Sequence, residues 1–210
     1  MNAQLLSIAG PAGALECVLT RPANWQVGDP LAIVCHPHPL HGGTLTNKVV
    51  HILARTFAEL GAQVLRFNFR GVGNSQGEFD QGAGEQDDLL AVVDYLRQHH
   101  PQSPLWLSGF SFGAVVALGA HARIAPQRLL VVAPAVDMYP QLAEVQVTTP
   151  GWVLVQGAQD EVVAPRAVMD WAGMQAIKPR LLWLEEAGHF FHGQLTKLNE
   201  RIKVTWTNLP

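Results

Sequence analysis

Residues 105–120 read LWLSGFSFGAVVALGA, and the fold turns on them. The apolar run Leu105-Trp106-Leu107 meets Gly109-Phe110-Ser111-Phe112-Gly113, and the apolar run from Ala114 to Ala120 follows directly. The pattern predicts a strand, a sharp turn with a serine at its apex, and a helix. In that setting G-x-S-x-G is a nucleophile elbow. Each glycine has a physical reason. The turn forces the residues two before and two after the serine against each other, so side chains there would clash. The helix beginning just after Ser111 aims its free N–H groups and the positive end of its dipole at any oxyanion formed there. With 19 glycines in 210 residues, the bare pattern is weak. It needs a base, an acid and oxyanion donors elsewhere in the chain.

Working outward, strands and helices alternate. Residues 4–8 and 15–20 read as strands around the turn Gly10-Pro11-Ala12-Gly13. Residues 31–35 (LAIVC) form a continuous apolar strand of the kind buried in a parallel sheet. The prolines and glycines of His36-Pro37-His38-Pro39-Leu40-His41-Gly42-Gly43 make the next stretch a loop. Residues 46–60 read as a helix with Val49, Val50, Leu53, Phe57 and Leu60 on one face. Residues 62–68 form a strand that leads into the glycine-rich loop 70–77. A second helix spans residues 85–99, with acidic residues in its first turn and Arg97 in its last, as the helix dipole favours. Beyond the elbow, strands are predicted at 128–133, 151–156 and 180–185, and helices at 165–176 and 191–204. This alternation gives a mostly parallel sheet with helices on both faces. Ligands in such sheets bind at the carboxyl ends of the strands.

Composition sets the bounds. A chain of 210 residues, 48 % hydrophobic and 15 % charged, fits one compact domain over residues 1–210 and is not a disordered chain. A net charge of −3 without a basic cluster gives nucleic-acid binding no electrostatic support. Cys17 and Cys35 each lie in an apolar strand and read as buried thiols rather than a disulfide. The first residues lack the basic and apolar regions of a signal peptide. No apolar run approaches the ~20 residues of a membrane span. The expectation is a cytoplasmic protein with no membrane partner; a homodimer is left open.

The strand ends supply the missing groups. Asp160 follows the strand at 151–156 and is placed to orient a histidine. Asp137 is its main rival, and Glu161 is expected to point elsewhere. His189 follows Gly188 after the strand at 180–185 and is the candidate base, with His192 as a substitute. His51, His99, His100 and His121 sit in or at the ends of helices and read as solvent-exposed. The order Ser111, Asp160, His189 is the order of a Ser…Asp…His triad in an α/β-hydrolase. One oxyanion donor is the N–H of Phe112. The other comes from the loop after residues 31–35, where Pro37 and Pro39 carry no N–H. His38 and Leu40 remain, and His38 is favoured. Gly42 and Gly43 let backbone approach a substrate closely; Leu40 and Phe110 are the further expected substrate contacts. The spacing of His36, His38 and His41 invites a zinc reading, but no carboxylate or cysteine in the loop completes a ligand set. No metal or cofactor is expected.

Over nearly its whole length the chain resembles the α/β-hydrolases. More narrowly, His36 to Gly43 followed by Thr46-Asn47-Lys48-Val49-Val50, together with Asn68-Phe69-Arg70-Gly71-Val72-Gly73-Asn74-Ser75, is similar to a group of small bacterial members described mostly as predicted hydrolases, with esterase or thioesterase activity suggested. The resemblance implies Ser111, Asp160 and His189 as the triad and names no substrate. It also implies an α/β-hydrolase fold without a substantial lid, because residues 134–150, where larger relatives insert a helical cap, are too few for one. The expected partner is a small-molecule acyl ester or thioester. A peptidase, a perhydrolase using the same triad, and a non-catalytic binding module are the alternatives.

Overall fold

The computed structural model describes residues 2–209. Among the described residues the chain forms one eight-stranded sheet in the order β1-β2-β4-β3-β5-β6-β7-β8. β1 (Asn2–Gly10) and β2 (Gly13–Arg21) make an antiparallel hairpin that joins β4 antiparallel. The other strands, β3 (Leu31–Cys35), β4 (Gln63–Phe67), β5 (Leu105–Phe110), β6 (Arg128–Val132), β7 (Gly151–Gly157) and β8 (Arg180–Leu184), run parallel. The helices are α1 (Lys48–Glu59), α2 (Ala83–His99), α3 (Phe112–Ile124), α4 (Pro165–Met174) and α5 (Leu195–Thr207).

The pleat explains the two layers. Along β3, Leu31, Ile33 and Cys35 join a core shared with α2, α3 and α4, whereas Ala32 and Val34 join a second core under α1 and α5. Both faces of the central strands are covered, which is why their sequences are apolar runs rather than alternations. In the second core, Trp206 of α5 packs its ring 5.1 Å from Phe57 and 5.3 Å from Trp106. Cys17 and Cys35 are buried and unpaired, with β4 between their strands. Burial pushes the Cys17 thiol up to about 12 and raises that of Cys35 as well.

The chain leaves β3 for β4 on one side and returns to β5 on the other. The carboxyl ends of β3 and β5 therefore border the crevice where strand order reverses, the usual ligand position in such sheets. The connection between β6 and β7 holds only a five-residue 3₁₀ turn, Pro140–Glu144, and no helical cap. No helix among the described residues is long and apolar enough to cross a membrane.

Several expectations are corrected. α1 starts at Lys48 rather than residue 46, because Asn47 caps it by accepting from the Val49 N–H at 2.9 Å. α5 starts at Leu195, not residue 191. Phe191 has φ 52° and Gly193 φ 72°, left-handed conformations that a helix excludes. His121 is buried, not exposed. Its Nε2 accepts from the Thr148 N–H at 3.2 Å and its Nδ1 meets the Leu118 carbonyl, tying α3 to the segment before β7.

Candidate active site

Ser111 stands between the last residue of β5 and the first of α3. Its backbone has φ 56° and ψ −118°, a strained setting for a residue with a Cβ. The surroundings hold it there. The Ser111 N–H donates to the Val132 carbonyl of β6 at 2.9 Å. A Cβ on Gly109 would strike the carbonyl of Gly113, so the first glycine meets the second as expected. A Cβ on Gly113 would instead strike the carbonyls of Cys35 and His36. The second glycine thus lets α3 press against the end of β3.

His189 approaches from the loop after β8. Its Nε2 lies 3.0 Å from Ser111 Oγ, and its Nδ1 lies 2.9 Å from Asp160 Oδ2. Both ring nitrogens are engaged, so Nδ1 carries the hydrogen toward the carboxylate and Nε2 faces the serine. The ring is 2 % exposed and packs between Phe110 and Phe190, each 5.0 Å away. Asp160 is buried, which opposes its ionisation. Hydrogen bonds from His189 and from the Val163 and Val162 N–H groups outweigh that, and the carboxyl lies below its ordinary value. Asp160 Oδ1 accepts from those two N–H groups at 2.7 and 2.9 Å. Its Oδ2 also accepts from Gln156 Nε2 at 3.0 Å.

The other candidates separate. Asp137 accepts from the Ala164 N–H at 3.3 Å, at the head of α4, and serves that turn. Glu161 does not point away. Its Oε2 accepts from the His189 backbone N–H at 3.2 Å, fixing the loop that carries His189. A Cβ on Gly188 would sit 2.7 Å from Glu161 Oε2 and press on that carboxylate. His192 is exposed, its ring 5.9 Å from that of Phe190.

The histidine-rich loop divides its labour. His36 is wholly buried. Its Nδ1 donates to the Pro37 carbonyl at 2.6 Å and its Nε2 accepts from the Phe69 N–H at 3.0 Å, joining the loops after β3 and β4. Burial holds its pKa down at about 4, so the ring is neutral. The ring of His38 lies 4.6 Å from His41 and 5.1 Å from Phe112, and its Nδ1 accepts from the Leu40 N–H at 3.2 Å. That bond occupies the Leu40 N–H, the alternative oxyanion donor. Among the described residues, no group of three or more His, Cys, Asp or Glu side chains could hold a metal ion.

A cavity of about 520 Å³ opens over Ser111. Gly42, Gly43, His38 and Phe112 line it. Gly43 has a further constraint, since a Cβ would strike the carbonyls of Pro37 and His38. Of the expected substrate contacts, one is off the cleft and another lies beside the cavity over Ser111. Phe110 is fully buried behind His189 and does not reach the cavity. Leu40, 69 % exposed, lines a neighbouring depression instead. Ala135, Met138, Tyr139, Val162 and Phe190 also line the cavity, and sequence reasoning missed them. The only signal for Met138 and Tyr139 was their place just after a strand. The role of Gln156 was hidden inside a strand of otherwise apolar residues.

Residues 29–154 match the family described as serine aminopeptidase, S33. A Rickettsia prowazekii protein described as uncharacterized, RP471, is 36 % identical over 92 % of this chain and 84 % of its own length. The crystal structure of XC6422 from Xanthomonas campestris, an α/β serine hydrolase without lid, is 42 % identical. It superposes with a TM-score of 0.95 over 100 % of this chain and 96 % of its own. An α/β serine hydrolase homologue from Coxiella burnetii is also 42 % identical, with a TM-score of 0.92 over 100 % and 99 % of the two chains.

Proposed function

The chain belongs to the S33 family of α/β serine hydrolases, and from that membership we propose that it cleaves carboxylic esters or thioesters through an acyl-serine intermediate. The observation that carries this reading is the unbroken relay from Ser111 Oγ through His189 to Asp160, at 3.0 and 2.9 Å. Ser111 Oγ attacks the substrate carbonyl carbon while His189 Nε2 takes the hydroxyl proton. The carbonyl π pair moves to oxygen. When the tetrahedral adduct collapses, the bond to the alcohol or thiol breaks and the leaving atom receives the proton from Nε2. Water then repeats the sequence on the acyl-serine. Asp160 holds the imidazole tautomer and stabilises the imidazolium.

The Phe112 N–H, at the free N-terminus of α3, is the first oxyanion donor. The His38 N–H is the second. Pro37 and Pro39 have none, and the Leu40 N–H is already bonded. Losing one such donor costs roughly 3 kcal/mol of barrier.

The family's description favours a second reading, an aminopeptidase. The cleft speaks against it, because no Asp or Glu lines the cavity to hold the free ammonium of a peptide's first residue. The test uses p-nitrophenyl acetate, an aminoacyl p-nitroanilide and a fluorophosphonate label. The wild-type protein is expected to hydrolyse the ester in preference to the anilide and to be labelled. Ser111→Ala is expected to do neither. Labelling of the alanine variant would move the nucleophile elsewhere. An unlabelled, inert wild type would leave a binding module on this fold.

A further inference from the structure

The depression that Leu40 lines adjoins the cavity over Ser111. It shares His38, His41, Met138 and Tyr139 with that cavity and contains neither Ser111 nor His189. The two are lobes of one cleft, with Met138 and Tyr139 between them. The residues flanking the serine give the cleft its polarity. Phe110, before it, packs on His189. Phe112, after it, packs 5.6 Å from Tyr139 and 5.7 Å from Phe79. The base stands on one side and an aromatic lobe on the other.

The inference rests on the acyl-serine reading. The tetrahedral carbon carries Ser111 Oγ, the oxyanion, the leaving group and the acyl substituent. The leaving atom must lie within hydrogen-bond reach of His189 Nε2, since its proton comes from there. The oxyanion faces the Phe112 N–H. The acyl substituent is left to run away from the base. We infer that the lobe bounded by Met138, Tyr139 and Phe79 is the acyl subsite, that it takes an aryl-acyl group, and that the leaving group projects past Phe190 and Val162.

The aryl preference follows from the walls. Phe79, Tyr139 and His38 offer rings against which an inserted ring makes offset or edge contacts that add to what the buried area alone supplies. A linear alkyl chain gains the area alone. Gln81 and Gln141 place amides in the same lobe, where a polar ring substituent finds partners. No Asp, Glu, Lys or Arg lines either lobe, so a charged acyl group gains no ion pair.

The experiment measures kcat/KM for p-nitrophenyl acetate, hexanoate and phenylacetate and for the matching ethyl esters. The wild type is expected to favour phenylacetate over hexanoate. Tyr139→Ala, and separately Met138→Trp, are expected to lower the phenylacetate-to-acetate ratio by about five- to ten-fold. Met138 is 52 % exposed, so the tryptophan narrows the lobe without disturbing the core. Phe190→Ala is expected to change the preference between p-nitrophenyl and ethyl esters and not the acyl ratio. A hexanoate preference overturns the aryl assignment. An acyl ratio that answers to Phe190→Ala and to neither of the other variants overturns the orientation. Failure of the acyl-serine reading looks different, namely no ester hydrolysis or hydrolysis that survives Ser111→Ala.

Discussion

At the scale of single residues, Asp160 is held by more bonds than the one it makes to His189. Asp160 receives the Val162 and Val163 N–H groups on one oxygen and Gln156 with His189 on the other. Replacing it with asparagine keeps the shape. The amide, however, can present an N–H to Nδ1 and so favour the tautomer whose Nε2 proton faces Ser111. Asp160→Asn is therefore expected to lower kcat by roughly 10³–10⁴-fold with the fold intact. Steady-state kinetics beside a circular dichroism spectrum checks both halves. Ser111, Asp160 and His189 could be named from sequence because each follows a strand and the three fall in the expected order. The expectation that Glu161 points elsewhere is overturned. Its bond to the His189 N–H joins two loops 28 residues apart, and nothing local in sequence signals where those loops meet.

At the scale of elements, the loops at the carboxyl ends of β3 and β4 act as one unit through His36. Its ring is buried and neutral, with a pKa of about 4 in the folded protein against an ordinary value near 6.5 in an unfolded chain. Between those values the unfolded chain binds a proton that the folded one does not, so acidification favours unfolding. The bond is fully supported above pH ~6.5. The stability that a neutral, buried ring allows, up to about 3 kcal/mol, is lost as pH falls from ~6.5 toward 4. Urea unfolding across this range is expected to show a midpoint that drops with acid. His36→Gln offers the Phe69 N–H a non-titrating acceptor and is expected to flatten that dependence; an equally steep profile in the variant would assign the acid sensitivity to another group. In sequence, the three histidines of this loop are indistinguishable by type and spacing. Their different depths come from the fold: His36, next to β3, is covered by the loop after β4 at Phe69, while His38 and His41 line the cavity.

At the scale of the molecule, the short connection between β6 and β7 leaves the cleft without a cover. Leu40, Met138, Val162 and Phe190, four of the large exposed hydrophobic side chains, stand along it. With no lid to open at an interface, turnover of a short-chain ester is expected to rise smoothly with substrate concentration through its solubility limit. A rate that jumps where the substrate forms an emulsion would point to a covering element that moves. The length of the connection was readable by counting residues. The contribution of Met138 and Tyr139 to both lobes was not, because it depends on how that connection folds back over α3.

The sequence by itself determined the layer architecture, the turn at Ser111, the order of Ser111, Asp160 and His189 and the absence of a cap. These follow from local rules: apolar periodicity, backbone sterics at glycine and proline, and chain length between strands. Only the tertiary structure decided that Phe110 lies behind His189, that Leu40 faces a second lobe, that His121 is buried, and that Glu161 and Gln156 hydrogen-bond His189 and Asp160. Each of these depends on contacts between segments far apart in the chain. Packing of the whole sheet sets those contacts, and residue type alone does not encode them.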